Sequence, residues 1–286
     1  AIYIVTGQGP NNLGLGSYSA PQLVSSDVGC SNQRSIARVP MGLLFQSHKG
    51  IYLLDQRYQV SYIGSDVESY NAQTITAATV IPDTNQAIFL TDDGRTLLYD
   101  FLFNQWSTFT AHEGDDACVW NNTYVYARTD GKVLKQSATN FRDVTTFYPM
   151  VIESAWIKLN MLQGYQRIRT VKLLGEYLSS HKLRMQFGYD YEPGYTETKV
   201  FEPDDVLNTS VYGTGVYGSE SIYGGGGSTV YQFEAPTRRQ KCEAFRFKIE
   251  DTPTTETPGE SYSVSEIALE VGMKRGTMKL GQGKVI

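Results

Sequence analysis

The sequence predicts an all-β protein: an incomplete β-propeller followed by an antiparallel β-sandwich of the jelly-roll type. Three observations favour this fold class. Aromatic residues make up 12% of the 286 residues and there are 27 glycines, a composition typical of short strands joined by tight turns. Hairpin patterns recur in the first half at a period of about 40 residues. Longer alternating strands fill the second half, and no stretch shows helical periodicity beyond one turn.

Three hairpins on one template organise the first half. Each has an apolar strand, a polar turn that ends in glycine, and a second apolar strand. The three segments span residues 43–55, 87–100 and 124–136. Glycine at the end of such a turn supplies the positive φ that a tight hairpin requires. We therefore predict left-handed backbone at Gly50, Gly94 and Gly131.

Further strand patterns flank these hairpins and complete units of four strands, which is typical of propeller blades. The additional strands are predicted at 59–64, 74–81, 105–109, 116–120 and, more weakly, 143–148. An ordinary β-meander remains the alternative to blades. Residues 1–148 supply about three blades, whereas a closed propeller needs about 4–8.

The ring is therefore not closed by this sequence, and we expect the missing blades upstream in a longer chain or in another chain. AIYIVTG (1–7) has the pattern of an outer strand of a preceding blade. It has no initiator Met and no signal-peptide shape. We interpret the sequence as a segment of a longer polypeptide.

Residues 149–286 have the pattern of a single β-sandwich. Its strands are predicted at 153–162, 166–177, 181–191, 242–251 and 262–272. In the fourth of these, Phe245, Phe247 and Ile249 alternate with charged residues, which predicts one buried and one solvated face.

A tyrosine- and glycine-rich stretch, SVYGTGVYGSESIYGGGG (210–227), interrupts the sandwich. Glycine is costly to order, whereas tyrosine is enriched at interface hot spots. Our hypothesis is an assembly loop in which Tyr212, Tyr217 and Tyr223 anchor on a neighbouring subunit or fibre. The alternative is a disordered insertion.

The last fifteen residues, 272–286, reverse the local charge of an acidic protein. They contain Lys274, Arg275, Lys279 and Lys284 and no acidic residue. This segment is either an arm that docks on an acidic neighbour, such as a second copy of the chain, or a frayed end.

Charge and cysteine content exclude some function classes. The formal net charge is −5, which argues against a protein that grips nucleic acid through its phosphates. The three cysteines are far apart and form no CxxC pair and no metal-binding spacing, and we predict reduced, mostly buried thiols at Cys30, Cys118 and Cys242. No apolar run approaches the about 20 residues needed to span a membrane, so no membrane insertion is expected.

No catalytic, metal or cofactor site is predicted, and we expect no enzyme. TDDGRTL (91–97) and GQGPNNLG (7–14) are interpreted as turns. AHEGDD (111–116) could hold a cation, but a solvated loop is the favoured interpretation. The remaining imidazoles, those of His48 and His181, belong to no Ser-His-Asp arrangement.

Several framework segments resemble the tail hub, tail nozzle or DNA-stabilisation proteins of short-tailed bacteriophages. The resemblance is carried by SDVGCSNQRSIARVPMGLLFQSHKGIYLLDQRYQVSYIG (26–64), ESAWIKLNMLQGYQRIRTVKLLGEY (153–177), FGYDYEP (187–193), KCEAFRFKIED (241–251) and EIALEVGMKRGTMKL (266–280). It implies a β-propeller virion protein, assembled in the bacterial cytoplasm and located in the tail.

The resemblance also implies partners. Such proteins form a ring, usually of six copies, beside adaptor and fibre proteins. The ring extends the channel through which genomic DNA passes without sequence-specific binding, and it retains the genome until ejection. An acidic lumen suits this task because it repels phosphate.

The main alternative is a module that binds a glycan on the host surface. Trp106, Trp120 and Trp156 could stack on sugar rings, although each lies in a strand pattern that favours core packing. A propeller hydrolase is a third possibility, against which the sequence shows no carboxylate–arginine constellation.

Overall fold

The computed structural model describes the chain in eight stretches, with the backbone alone for residues 177 and 274–277. These stretches are residues 1–110, 112–145, 147, 149–160, 164–177, 181–202, 230–253 and 260–277. Strands in antiparallel sheets dominate them, so the all-β prediction is confirmed. The chain divides into two compact units, Ala1–Ser137 and Ala138–Ile286, whereas the strand pattern of the sequence predicts the boundary between residues 148 and 149.

The N-terminal unit begins with a two-stranded sheet and continues with three meanders. The two-stranded sheet pairs β1 (Ile2–Ile4) with β2 (Gln22–Ser25). The first meander contains β3 (Ala37–Val39), β4 (Gly42–Ser47), β5 (Gly50–Asp55) and β6 (Val60–Tyr62). The second contains β7 (Ile75–Ile81), β8 (Gln86–Thr91), β9 (Thr96–Asp100) and β10 (Gln105–Phe109). The third contains β11 (Asp116–Trp120), β12 (Thr123–Ala127) and β13 (Val133–Lys135). In each meander, sequential strands are neighbours.

The predicted hairpin turns are confirmed. Gly50, Gly94 and Gly131 have φ angles of 118°, 78° and 84°, which side chains other than glycine rarely adopt. Within 91–97, the amide of Thr91 donates to the carbonyl of Arg95 at 2.9 Å, which closes the turn. The other segment interpreted as a turn, 7–14, is also confirmed: the Asn11 side-chain oxygen accepts hydrogen bonds from two backbone amides.

One strand prediction in this half is wrong. In the segment 143–148, Val144 has a φ of 58° and forms a turn with Thr145. Positive φ is incompatible with the extended backbone of a strand. Residues 146 and 148 lie outside the described part of the chain.

The meanders pack through two apolar clusters that lie on opposite faces of β8. Ala87 and Phe89 belong to the cluster shared with the first meander. Ile88 and Leu90 belong to the cluster shared with the third. A strand covered on both faces has a continuous apolar sequence, and AIFL (87–90) has this pattern. The second meander therefore lies between the other two.

The C-terminal unit contains seven described strands. They are β14 (Val151–Glu153), β15 (Gly164–Tyr177), β16 (His181–Tyr189), β17 (Glu197–Phe201), β18 (Val230–Pro236), β19 (Phe245–Pro253) and β20 (Tyr262–Thr277). One sheet has the order β14-β19-β16-β17 and the other β18-β15-β20. None of the described sheets closes on itself. Both sheets contribute to one apolar cluster, which includes Val171 and Leu173 from β15 and Met185 and Phe187 from β16.

The strands predicted at 166–177, 181–191, 242–251 and 262–272 are confirmed as β15, β16, β19 and β20. The long strand predicted at 153–162 is largely wrong, because β14 ends at Glu153 and Ile157 forms only an isolated bridge to Phe245. Strands β17 and β18 were not predicted.

Candidate functional site

The turn between β16 and β17 carries a cluster of interacting side chains on the surface of the C-terminal unit. Asp190 and Tyr191 have consecutive positive φ angles of 55° and 61°. The carboxylate of Asp190 holds this backbone by accepting hydrogen bonds from the amide of Glu243 and from the guanidinium of Arg239. These contacts place the Tyr191 side chain outward, 52% exposed.

Beside this turn, four planar groups form a ladder, defined here as Tyr195, Arg246, Trp156 and Tyr191. The guanidinium of Arg246 lies 4.6 Å from the ring centroid of Tyr195 and 4.7 Å from that of Trp156. The rings of Trp156 and Tyr191 are 5.1 Å apart and tilted by 51°. Cation–π and tilted aromatic contacts of this kind fix the rings relative to one another.

Glycine at position 188 makes room for the ladder. Gly188 pairs with Arg246 across β16 and β19, and a Cβ there would lie 3.0 Å from Cγ and Nε of Arg246. The arginine side chain therefore runs across the strand and donates to the carbonyl of Gly194 at 3.0 Å. The segment GYDYEPG (188–194) contains the turn residues and Tyr191. No local sequence pattern indicated that Arg246 and Trp156 would lie beside this turn.

Glu153 at the end of β14 completes the arrangement. Its Oε1 accepts a hydrogen bond from the hydroxyl of Tyr195 at 2.5 Å and lies 3.7 Å from Nη1 of Arg246. Burial and the hydrogen bond to the carboxylate raise the pKa of Tyr195 to about 12. The tyrosine thus remains a hydrogen-bond donor at neutral pH.

An open depression of 420 Å³ lies at the edge formed by β17. Its lining residues are Tyr189, Thr196, Glu197, Thr198, Lys199, Arg238 and Arg239. Burial, assisted by the hydrogen bond to Glu197, raises the pKa of Tyr189. Glu197 also accepts from the amide of Arg238 at 3.1 Å and lies 3.8 Å from the Lys199 ammonium. This carboxylate therefore joins β16, β17 and the end of β18.

Within the described residues, one face of the third meander in the N-terminal unit is left uncovered. Its inner face, with Tyr124 and Tyr126, packs in the cluster shared with the second meander. The strand register places Cys118, Trp120 and Val133 on the other face. Trp120 is 69% and Val133 71% exposed. We call this face the outer face of the third meander.

Most of the predicted assembly residues lie outside the described part of the chain. These are Tyr212, Tyr217 and Tyr223 of the insertion and Lys279 of the tail. Lys274 and Arg275 lie on the described backbone of β20, where Lys274 is paired with Tyr165 of β15. The first part of the basic tail is thus a sheet strand rather than a frayed end.

The tryptophan predictions have three different outcomes. Core packing is confirmed for Trp106, whose ring lies 4.8 Å from that of Tyr99 and whose Nε1 donates to the carbonyl of Ile63 at 2.8 Å. It is wrong for Trp120, which the outer face exposes. Trp156 is half-buried in the surface ladder.

The prediction of mostly buried thiols is also wrong for two of the three cysteines. Cys30 and Cys118 are exposed, and Cys242 is buried. Cys118 points away from the core because it alternates in β11 with Ala117 and Val119, which face the second meander. Burial raises the pKa of the Cys242 thiol to about 11.

The histidines and the acidic segment 111–116 show no metal geometry. Among the described residues, no three His, Cys, Asp or Glu side chains come together in a way that could hold a metal ion. The prediction that this segment forms a solvated loop is correct only in part. Glu113, Asp115 and Asp116 are exposed, but Gly114 is buried and the ring of His112 lies 4.0 Å from that of Tyr126.

Comparison with known proteins adds no family assignment. The sequence matches no protein-family model, and a search of curated proteins found no significant match. No helix in the described stretches has the length and apolar character needed to cross a bilayer.

Proposed function

We propose that the chain is a non-enzymatic structural component of a virion, part of a tail hub or nozzle of the kind that its framework segments resemble. In this proposal, the three meanders are consecutive blades of an incomplete propeller. The C-terminal unit is a jelly-roll sandwich. Copies of the chain form a ring, with six as the expected number, between adaptor and fibre proteins in the phage tail.

The observation that carries the proposal is the uncovered outer face of the third meander. Consecutive meanders bury apolar clusters between them, and the second is covered on both faces. On the third meander, the outer face exposes the large side chains of Trp120 and Val133 to solvent. Trp120 and Val133 lie at opposite ends of this face, with the exposed thiol of Cys118 between them, and an apolar sheet face exposed in this way marks a surface that packs against further protein. Another sheet, from the same polypeptide or a neighbouring subunit, would cover it.

Charge supports a role beside DNA without binding to it. The chain has a net charge of −5, and a surface of this sign repels phosphate, so that DNA can slide along a channel. In this proposal, the basic tail contacts an acidic neighbour, and the tyrosines of residues 210–227 anchor on an adjacent subunit or fibre. The ring retains the packaged genome until ejection.

A native mass spectrum of the chain from its source particle tests the proposal. We expect a closed-ring multiple of 31.9 kDa, or of the mass of a longer parent chain. A monomer as the sole species would overturn it. Deletion of residues 212–226 should leave the chain folded but prevent particle assembly, and infectious particles from that deletion would contradict the assembly-loop hypothesis.

Two substitutions that introduce a carboxylate test the outer face of the third meander. Trp120→Glu should abolish assembly, because a carboxylate cannot be buried against an apolar sheet without a partner. Phe103→Glu is the matched control: Phe103 is 68% exposed, but it lies in the turn between β9 and β10. Normal assembly of Trp120→Glu would refute the assignment of this face.

A further inference from the structure

The backbone of Tyr191 is strained. Of the described residues, eight other than glycine have a positive φ, and Asp190 and Tyr191 are two of them, in succession. Asparagine or glycine would adopt this conformation at lower cost than a bulky aromatic residue. Contacts from Glu243 and Arg239 to the Asp190 carboxylate hold the turn in place. Strain that the surroundings impose in this way is characteristic of functional positions.

The strain holds an aromatic ring at the surface. Tyr191 is half-exposed and stacks at a tilt on Trp156, whose ring is backed by Arg246. The side chains of the ladder are therefore ordered before any ligand arrives, which lowers the entropic cost of binding. The faces of aromatic rings carry partial negative charge, and the C–H groups on one face of a pyranose ring complement it.

Glu153 places a hydrogen-bond acceptor at the end of the ladder formed by Tyr195 and Arg246. Its Oε1 is held by Tyr195 and Arg246, and no described residue donates a hydrogen bond to its Oε2. The side chain is 49% exposed. An oriented carboxylate makes strong, charge-assisted hydrogen bonds with hydroxyl donors, and sugar hydroxyls are such donors.

We propose that Tyr191, Trp156 and Glu153 form a binding platform for a neutral pyranose of a carbohydrate. A pyranose ring stacks on the exposed ring of Tyr191, which Trp156 supports from behind, while hydroxyls of the saccharide donate to Glu153. A neutral sugar is favoured because the charge of Arg246 is already shared with Glu153 and the Gly194 carbonyl. Glu192, also exposed in the turn, disfavours anionic sugars. The site is separate from the assembly function proposed above and does not depend on it.

Saturation-transfer NMR of the full chain tests the platform. The probes are the methyl glycosides of glucose, galactose, mannose, rhamnose and N-acetylglucosamine. We expect saturation transfer to the ring C–H protons of at least one of them. Tyr191→Asn should weaken that binding about tenfold or more, as expected for the loss of a stacking contact. It should not lower the melting temperature, because asparagine tolerates the left-handed conformation.

Tyr58→Asn is the matched control. Tyr58 also has a positive φ, 63°, and is 54% exposed, but it lies in the N-terminal unit. This substitution should leave sugar binding unchanged. Glu153→Gln, which keeps the shape and removes the charge, should weaken binding several-fold.

Two results would overturn the proposal. The first is the absence of saturation transfer to every probe. The second is sugar binding that Tyr191→Asn leaves intact. If Tyr191→Asn instead changes the native mass of the assembly without any sugar binding in the wild type, the ladder is a protein interface and the carbohydrate assignment is wrong.

Discussion

Replacing Asp251 by alanine should destabilise the C-terminal unit severely. Asp251 lies in β19 with its side chain 1% exposed, and its carboxylate accepts from Nδ1 of His181 at 3.0 Å and from the backbone amide of Met150. His181 begins β16 and its side chain is fully buried. A carboxylate only accepts hydrogen bonds, so alanine leaves both donors without their partner in the interior.

The size of the effect follows from this burial. An unsatisfied buried donor costs about 1–3 kcal/mol, and Asp251→Ala leaves two such donors. We therefore expect this substitution to lower the free energy of unfolding by about 2–6 kcal/mol. Glu202→Ala is the control. Glu202 pairs with Lys182 with both side chains about half exposed, and an exposed pair contributes about 0–1 kcal/mol.

Urea unfolding of the full chain gives the free energies. Because the N-terminal unit could unfold separately, amide hydrogen exchange in peptides of β16 and β19 supplies a readout confined to the affected sheet. A loss of less than about 1 kcal/mol for Asp251→Ala, or one equal to that of Glu202→Ala, would refute the view that the pair is desolvated and structural.

Three further predictions follow from burial and titration. A thiol reagent should modify Cys30 and Cys118 in the native chain and Cys242 only after denaturation, as intact-mass measurements would show; rapid labelling of all three would contradict the assigned burial. Since the folded pKa of Tyr195 is raised to about 12 from about 10 in the unfolded chain, its stabilising contribution is complete below pH 10. That contribution is lost as the pH rises towards 12. Tyr195→Phe should therefore reduce the alkaline loss of stability in urea titrations, and an unchanged pH profile would contradict it. Gly175→Ala should prevent normal folding, because the new Cβ would lie 1.9 Å from a carbonyl oxygen of β20; a soluble variant with native circular dichroism would argue against this close approach.

Local chemistry made several elements predictable. The glycines at 50, 94 and 131 ended hairpin turns as expected, since a positive φ is a requirement of the turn itself. The continuous apolar run 87–90 is typical of a strand covered on both faces, although only the strand itself was predicted. Strands β15, β16 and β19 were recognised from alternation alone.

Other features had no local signal. Trp106 and Trp120 occupy similar strand patterns, yet one packs against Tyr99 and the other is exposed. The difference depends on whether another sheet covers the face on which each side chain lies. The same reason explains why the thiol of Cys118 is exposed, although we predicted that the thiols are mostly buried.

By itself, the sequence determined the class of structure: short antiparallel strands, glycine turns, two units of different strand length and an acidic charge balance. These depend on backbone conformation and on periodicities of two residues, which a few neighbouring residues encode. Only the tertiary structure brought Trp156, Tyr191 and Arg246 into one ladder and left one meander face open. Contacts between residues far apart in the chain depend on sheet order and register, and these are decided by packing rather than by local preference.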